Sequence, residues 1–332
     1  MRVLITGIGG FAGSHLAERL LKHTDWEIWG VVRQSRWRIA HLTEQLRLVT
    51  CDLTDQEATL EMMRRVRPEA IVHLAGQSRV GASWQHPWET YRTNLLSQLS
   101  LLEAVVRTQP PVQRLLIITS NEVYGPPVYL PIDENHPIRP VSPYGVSKAA
   151  QDLMAQQYVL AHRLPIVRVR PFNHIGPRQD VGFVCADFAS QVARIEAGLQ
   201  PPIIRVGNLS ARRDFTDVRD VVTAYHLLLT HGRVGEVYNV GRGESHAIQE
   251  ILDILLAASK VPIQVEVDPT RLRPSDVPEV RCQPERLQAH TGWKPNIPFR
   301  RSVLDVLDEW RRRVHTAAPS SSITPDKGGG HA

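Results

Sequence analysis

Short apolar, β-branched segments alternate with amphipathic stretches through the first half of the chain. The segments that predict strands are RVLIT, EIWGVV, LRLVT, AIVHLA and RLLIITS, with PIVRVR as a sixth. Amphipathic helices are predicted from near Phe11, from about Trp88 to Arg107 and from Ser142 to about Ala161. Such alternation is typical of parallel βαβ units, so we predict an α/β fold with a doubly wound parallel sheet.

Beyond Pro171 the apolar runs shorten and Pro and Gly become frequent, which indicates a second, smaller α/β lobe. Helix and strand patterns that would fit the first lobe recur in two later segments, DFTDVRDVVTAYHLLL and EVYNVG. We therefore predict one domain from residues 1–172 with about 214–241, and another from about 173–213 with 242–315. Segment 316–332 is rich in Pro, Ser and Gly, and we expect it to be disordered because it has little apolar surface to bury.

Composition and charge narrow the class of protein. The 332 residues are 42% hydrophobic and 22% charged, which is ordinary for a globular chain. The net charge of +5 comes from dispersed basic residues, which suits an anionic small ligand better than nucleic acid, although composition alone favours a solvated basic surface. The three scattered cysteines predict a protein of the reducing cytoplasm. Neither the cysteines nor the histidines have the spacing of metal ligands, so we expect no metal site. No apolar run is long enough for a membrane span, and we expect a soluble protein without a signal peptide.

A glycine triplet lies where the first strand runs into the first helix. In TGIGGFAG, Gly7 permits a tight turn, Gly10 lets the backbone approach a pyrophosphate, and Gly13 allows close helix packing. This strand–turn–helix context is the one that a dinucleotide-binding turn requires. We therefore predict a Rossmann-type sheet that binds a dinucleotide, with Phe11 at the helix start included in the site.

The residues after the second and third strands bear on the choice of cofactor. Arg33 stands where proteins that prefer NAD commonly place an acidic residue, and its guanidinium suits a 2′-phosphate, so NADP(H) is favoured and NAD(H) is the alternative. Arg36 would assist, unless these arginines are only solvated strand-end charges. Asp52, followed by Leu53, would accept a hydrogen bond from the adenine amino group or instead cap the helix near Asp55.

Tyr144 and Lys148 are four residues apart and therefore face the same side of a helix. A nearby ammonium stabilises phenolate, so we expect the pKa of Tyr144 to be lowered, and Lys148 would also reach the nicotinamide ribose. In isolation this would be an ordinary surface contact. However, Ser120 and Glu122 follow the fifth strand at the edge where ligands of such sheets bind. Ser, Tyr and Lys converging on a nicotinamide predict a carbonyl-reduction site.

Together these motifs resemble the extended short-chain dehydrogenases/reductases that act on sugar nucleotides. TGIGGFAG, CDLTD, HLAGQS, Asn94, SNEVYG, SPYGVSK and RPFNHIGP occur in that family's order over about residues 1 to 312. The resemblance implies a catalytic set of Ser120, Tyr144 and Lys148. It also implies that the cofactor is lined by further residues: Leu74, Ala75, Gly76, Asn94 and Pro171.

The second lobe resembles the branch of that family acting on GDP-mannose derivatives, through RPFNHIGPRQ, VGNLSARRDFTDVRD, RLRPSDVP and TGWKP. We expect substrate contacts from Asn173, Asn208, Arg213, Arg273 and Asp276. Planar guanidinium groups would clamp the two phosphates of a GDP-sugar. The alternative is that each arginine pairs only with a neighbouring aspartate.

The resemblance implies reduction of the 4-keto group of GDP-4-dehydro-6-deoxy-D-mannose to GDP-D-rhamnose. The sister activity, dehydration of GDP-mannose, is the alternative, because Glu122 matches the carboxylate that dehydratases use, although they have Thr where this chain has Ser120. An epimerase of the same family and a non-catalytic nucleotide sensor are further alternatives. The family also implies a homodimer formed through a four-helix bundle, whereas the apolar helix faces would equally suit an internal core.

Overall fold

A computed structural model describes residues 1–33, 36–271 and 277–317 of the chain. The predicted alternation of strands and helices is confirmed in its first half. The strands there are β1 Arg2–Thr6, β2 Glu27–Val32, β3 Arg47–Thr50, β4 Ala70–His73, β5 Arg114–Ile118 and β6 Ile166–Pro171. The helices are α1 Phe11–His23, α2 Gln56–Val66, α3 Val80–Gln85, α4 Pro87–Tyr91, α5 Ser97–Thr108 and α6 Pro143–His162.

The remainder of the chain has shorter strands. These strands are β7 Asn173–Ile175, β8 Ile203–Val206, β9 Arg212–Arg213, β10 Phe215–Asp217, β11 Val237–Val240, β12 His246–Ala247, β13 Gln264–Val267 and β14 Glu279–Val280. The helices are α7 Val184–Glu196, α8 Val218–His231, α9 Ile248–Ala257, α10 Glu285–Thr291 and α11 Phe299–Ala317. Short 3₁₀ turns occur at Trp37–Leu42, Asn121–Val123 and Pro269–Arg271.

The helix predicted from about Trp88 to Arg107 is helical throughout, but it is not α-helical along its whole length. A π-helical segment, Arg92–Leu96, separates α4 from α5. It buries the side chain of Asn94 completely. A wider turn of this kind often occurs at functional sites, because it redirects one side chain without ending the helix.

Seven strands form one parallel sheet in the order β11-β6-β5-β4-β1-β2-β3. The chain moves outward from β1 to β3 and then returns to β4 on the other side of β1. Loops after β1 and β4 therefore diverge at the carboxyl edge of the sheet, and ligands of such folds bind in the crevice between them.

Helices cover both faces of the sheet, so its strands are apolar on both sides. On one face the core contains Val3, Ile5, Leu16, Leu20 and Leu228, which brings α1 and α8 against the strands. The opposite face is packed by α2, α5 and α6, and the central members of its core are Leu4, Leu60, Ile71, Leu101, Leu115 and Ala155.

A separate apolar cluster is built mainly from α7, α9 and α11, and it includes Phe188, Ile251 and Val306. It underlies the predicted second domain, whose exact boundaries stay a prediction. Two residues assigned to that domain, Leu287 and Trp293, pack instead into the cluster that contains α1 and α8.

Helix α11 extends to Ala317, two residues into the segment expected to be disordered, and residues 318–332 lie outside the described ranges. Among the helices that the structure describes, none has the length and hydropathy needed to cross a bilayer.

Candidate active site

The turn between β1 and α1 leaves no room for a Cβ at Gly7 or Gly13. Gly7 has φ of +69°, and a Cβ there would lie 2.9 Å from the backbone N of Ala75. A Cβ on Gly13 would lie 2.3 Å from the carbonyl O of Gly7, to which the N–H of Gly10 donates at 2.9 Å. Gly10 precedes α1 and contributes no capping side chain. The helix N-terminus and the bare backbone therefore fit a pyrophosphate.

A cleft of about 390 Å³ opens beside this turn, at the ends of β2, β3 and β4. Its lining includes the predicted residues Gly7, Arg33, Asp52, Leu53, Ala75 and Gly76. The cleft is also lined by residues that the sequence patterns did not predict: Val31, Val32, Cys51, Thr54, Gln77, Glu89, Thr93 and Ser97. Val32 ends β2 and Cys51 directly follows β3, and that position was the available signal for these two. The cleft adjoins the pyrophosphate turn and so suits an adenosine moiety.

The two side chains predicted to read the adenosine differ in exposure and contacts. Arg33 is exposed at the end of β2. Asp52 accepts hydrogen bonds from the N–H and hydroxyl of Thr54, at 3.0 and 2.9 Å. The Thr54 N–H is the main cause that lowers the pKa of Asp52, and the charge of Arg33 contributes. The cap of α2 is Asp55, which accepts from the N–H of Ala58, so Asp52 does not serve as that cap.

The predicted catalytic side chains converge at the same edge of the sheet. Tyr144 lies in the first turn of α6, which Ser142 caps by accepting from the N–H of Gly145 at 3.0 Å. Ser120 follows β5 and forms a hydrogen bond with the Tyr144 hydroxyl. Lys148 donates to the carbonyl O of Ile118 at 3.2 Å, and its Nζ is 5.9 Å from the Tyr144 ring centroid. The N–H of Glu122 donates to Ser120 Oγ at 3.2 Å.

The expected lowering of the Tyr144 pKa is wrong. Burial raises the pKa of Tyr144, the charge of Glu122 raises it further, and only the hydrogen bond with Ser120 opposes them. Burial also lowers the pKa of Lys148 to about 8. The physical reason is that both groups are almost fully enclosed, so desolvation outweighs the attraction between ammonium and phenolate. Tyr144 therefore stays protonated at neutral pH.

The loop after β4 connects the glycine turn with these predicted catalytic side chains. A Cβ on Gly76 would lie 2.8 Å from Asn94 Oδ1 and 3.8 Å from Lys148 Nζ. Asn94 accepts from the N–H of Gln77 at 2.7 Å and donates to Ser147 Oγ at 2.9 Å. Asn94 thus holds the loop of Leu74, Ala75 and Gly76 against α6. The glycine turn, this loop and Lys148 form one continuous wall.

Other predicted site residues lie nearby or in the second lobe. Pro171 ends β6 opposite Val240, and Phe11 stacks on His174 with 5.8 Å between ring centroids. Asn173 begins β7, where it pairs with Phe215.

Of the remaining substrate candidates, Arg213 lies on β9 and Asn208 precedes it in the chain. Asn208 accepts from the N–H of Ser210 at 2.9 Å, and Arg213 donates to the carbonyl O of Val277 at 2.7 Å. Asp214, the aspartate next to Arg213 in the sequence, is buried and accepts from the N–H groups of three residues: Arg242, Gly243 and Cys282. Arg273 and Asp276 lie outside the described residues.

A glycine turn at the switch point of a parallel sheet, joined to a buried Ser–Tyr–Lys set, defines a Rossmann-type short-chain dehydrogenase/reductase. Comparison with known families agrees with the resemblance seen in the sequence. The chain belongs to the GDP-mannose 4,6-dehydratase family, whose model matches residues 4–306.

Individual relatives cover nearly the whole chain. GDP-6-deoxy-D-mannose reductase of Pseudomonas aeruginosa is 36% identical over 94% of this chain and 98% of its own. GDP-mannose 4,6 dehydratase 2 of Arabidopsis thaliana is 31% identical over 92% of this chain and 86% of its own. The structure of RMD from Pseudomonas aeruginosa complexed with NADPH superimposes with a TM-score of 0.82, at 35% identity, over 94% of this chain and 99% of that one. A UDP-glucose 4-epimerase of Thermus thermophilus, in complex with NAD, gives the same TM-score at 31% identity, over the same shares of the two chains.

Proposed function

We propose that the protein is an NADPH-dependent reductase that converts GDP-4-dehydro-6-deoxy-D-mannose to GDP-D-rhamnose. The observation that carries this proposal is the buried set of Ser120, Tyr144 and Lys148 beside the glycine turn. The 36% identity to a GDP-6-deoxy-D-mannose reductase supports the choice of substrate.

The cofactor is assigned to the pyrophosphate turn and the adjoining cleft, where the close approaches at Gly7 and Gly13 fit a bound dinucleotide. When bound, NADPH supplies the hydride that the carbonyl carbon accepts. Tyr144, which is protonated at neutral pH, donates a proton to the carbonyl oxygen. Ser120 orients and polarises the same oxygen, and Lys148 offsets the charge left on the phenolate.

Substrate contacts are proposed from Asn173, Asn208 and Arg213, together with Arg273 and Asp276. Arg213 sits on β9, which pairs with β12 and β14, so its guanidinium is anchored on a small sheet rather than on a free loop. Such a guanidinium would bind the diphosphate of the GDP-sugar.

Dehydration of GDP-mannose is a second candidate function, and the presence of Glu122 favours it. A carboxylate two residues beyond Ser120 would be placed to remove a proton from the sugar. Against it, this chain has Ser120 where the dehydratases have Thr.

The experiment that tests the proposal supplies NADPH with GDP-4-dehydro-6-deoxy-D-mannose and follows the absorbance of the reduced nicotinamide. A parallel reaction contains GDP-mannose and catalytic NADP. Oxidation of NADPH in proportion to the sugar consumed supports the reductase. A 4-keto product from GDP-mannose without net NADPH consumption would instead establish the dehydratase, and inactivity in both reactions would remove both assignments.

The preference for NADP(H) over NAD(H) is proposed to depend on Arg33, which lines the adenosine cleft. In Arg33→Ala, we expect the ratio of catalytic efficiencies with NADPH and NADH to fall by about tenfold or more, because a charge-assisted hydrogen bond contributes roughly 1.5–3 kcal/mol. Arg47→Ala is the matched control, since Arg47 is an exposed arginine at the start of β3 with a long contact to Glu27 of 3.9 Å. An unchanged ratio in Arg33→Ala would assign the 2′-phosphate to another residue.

A homodimer is proposed through the outer faces of α5 and α6. Val146, Leu153 and Leu160 are spaced seven residues apart on α6 and are 41%, 55% and 75% exposed. Leu99 on α5 is also exposed, at 38%. An apolar stripe with heptad spacing suits helix pairing with a second copy, which would complete a four-helix bundle.

Replacing Leu153 with glutamate is expected to weaken that dimer by at least about tenfold in Kd, because it buries a charge in an apolar interface. Light scattering coupled to gel filtration measures the mass at decreasing protein concentration. Val267→Glu is the control, since Val267 is 67% exposed on β13. A wild-type protein with monomer mass at all concentrations would refute the dimer.

The proposed location of the enzyme is the cytoplasm. All three cysteines, Cys51, Cys185 and Cys282, are buried free thiols, which suits a reducing compartment.

A further inference from the structure

A buried carboxylate, Asp152, lies four residues after Lys148 and eight after Tyr144 on α6, so it continues the catalytic face of that helix. Its side chain is fully enclosed. Arg170 on β6 binds it through two parallel hydrogen bonds, Nε to Oδ2 and Nη2 to Oδ1, both at 2.8 Å. Arg168 adds a third contact at 3.0 Å. The position of α6 is thereby fixed against β6.

Asp152 also contacts the residue that precedes Ser120. Thr119 Oγ1 lies 3.3 Å from Asp152 Oδ2. The N–H of Thr119 donates to the carbonyl O of Val169 at 2.8 Å. One end of the segment that carries Ser120 is therefore tied to α6.

The other end of the same segment is held by Arg170. Its Nη1 donates to the Tyr124 hydroxyl at 2.9 Å, and that hydroxyl donates to Asn239 Oδ1 at 2.7 Å. Tyr124 and Asn239 are completely buried. Tyr124 comes two residues after Glu122, so the segment from Thr119 to Tyr124 is anchored on both sides of Ser120 and Glu122.

We propose that the Asp152–Arg170 ion pair is a positioning unit that sets Ser120 and Glu122 relative to Tyr144 and Lys148. This inference rests on the proposed function, since it concerns the geometry of the same site. A buried ion pair adds little net stability compared with apolar residues of similar volume. The two parallel hydrogen bonds between Arg170 and Asp152 add geometric specificity instead. Misplacement of a reacting group by about 1 Å costs about a hundredfold in rate. The pair thus acts on turnover through the hydrogen bond between Ser120 and Tyr144.

Three variants test this role. Asp152→Asn removes the charge, Arg170→Lys keeps a charge but loses the two parallel hydrogen bonds, and Tyr124→Phe removes a single hydroxyl with little effect on packing. The matched control is Asp220→Asn. Asp220 is also a buried carboxylate, but it lies on α8 and accepts hydrogen bonds from the N–H groups of Asn296 and Ile297.

We expect kcat to fall about 10- to 100-fold in Asp152→Asn and Arg170→Lys, and about 3- to 10-fold in Tyr124→Phe. The KM for the sugar nucleotide and the Kd for NADPH should stay within about threefold of wild type, because neither binding surface is touched. Amide hydrogen exchange should accelerate in segment 119–124 of these variants and remain at the wild-type rate there in Asp220→Asn.

Two results would overturn the role. One is a kcat within about twofold of wild type in both Asp152→Asn and Tyr124→Phe. The other is an equal loss of kcat and equal exchange rates in Asp152→Asn and Asp220→Asn, which would mean general destabilisation. Hydrogen exchange needs no substrate, so it tests the positioning unit even if wild-type protein fails to oxidise NADPH, a failure that would concern the proposed function alone.

Discussion

Tyr144→Phe is expected to lower kcat by about 10² to 10⁴-fold, the usual contribution of a positioned general acid. The ring remains and fills the same buried space, so the substitution deletes the proton donor and the hydrogen bond with Ser120. The glycine turn and the adenosine cleft belong to other elements. The affinity for NADPH should therefore change by less than about threefold.

Single-turnover kinetics and NADPH fluorescence titration separate these two quantities. The matched control is Tyr129→Phe, which removes a hydroxyl from a tyrosine that is 45% exposed and donates to Asp133 at 2.8 Å. Its kcat should equal that of wild type. If Tyr144→Phe lost cofactor affinity in step with turnover, the assignment of Tyr144 as proton donor would have to be abandoned.

Lys148→Met is expected to reduce kcat/KM by about 10² to 10³-fold and to abolish a pH dependence of the wild-type enzyme. Burial lowers the pKa of Lys148 to about 8, so the ammonium is present below that pH and is lost above it. Wild-type kcat/KM should therefore fall as the pH rises through about 8, because this parameter reports ionisations of the free enzyme. The methionine variant has no such group and should show no decline there.

A pH series of initial rates with wild-type protein, Lys148→Met and Lys294→Met tests this expectation. Lys294 is exposed, and its replacement should leave the profile unchanged. Persistence of the decline near pH 8 in Lys148→Met would show that a different group causes it.

Much of the fold follows from local sequence patterns. The strands and the glycine turn are encoded by neighbouring residues, and the spacing of Tyr144 and Lys148 already places them on one helix face. The proximity of Ser120 to these two residues was also predictable, because the carboxyl ends of parallel strands lie at the same edge of a sheet. The structure does assemble these side chains, although their roles in catalysis stay predictions.

Other features depend on distant contacts and were not predictable from local pattern. The rise in the pKa of Tyr144 comes from enclosure, which no four-residue spacing encodes. The π-helical turn contains Asn94, whose side chain donates a hydrogen bond to Ser147, 53 residues away in the sequence. Asp152 could have been noticed as an acid one helical turn after Lys148, but its partner Arg170 lies 18 residues further on.

Strand β11 has a consequence for how this protein can be made or divided. It is the edge strand that pairs with β6, but it comes much later in the chain, at residues 237–240 of 332. A nascent chain on the ribosome must therefore expose the backbone edge of β6 until most of its length has been synthesised. A recombinant fragment ending near residue 172 would carry that open edge permanently, and unpaired edges of this kind promote aggregation.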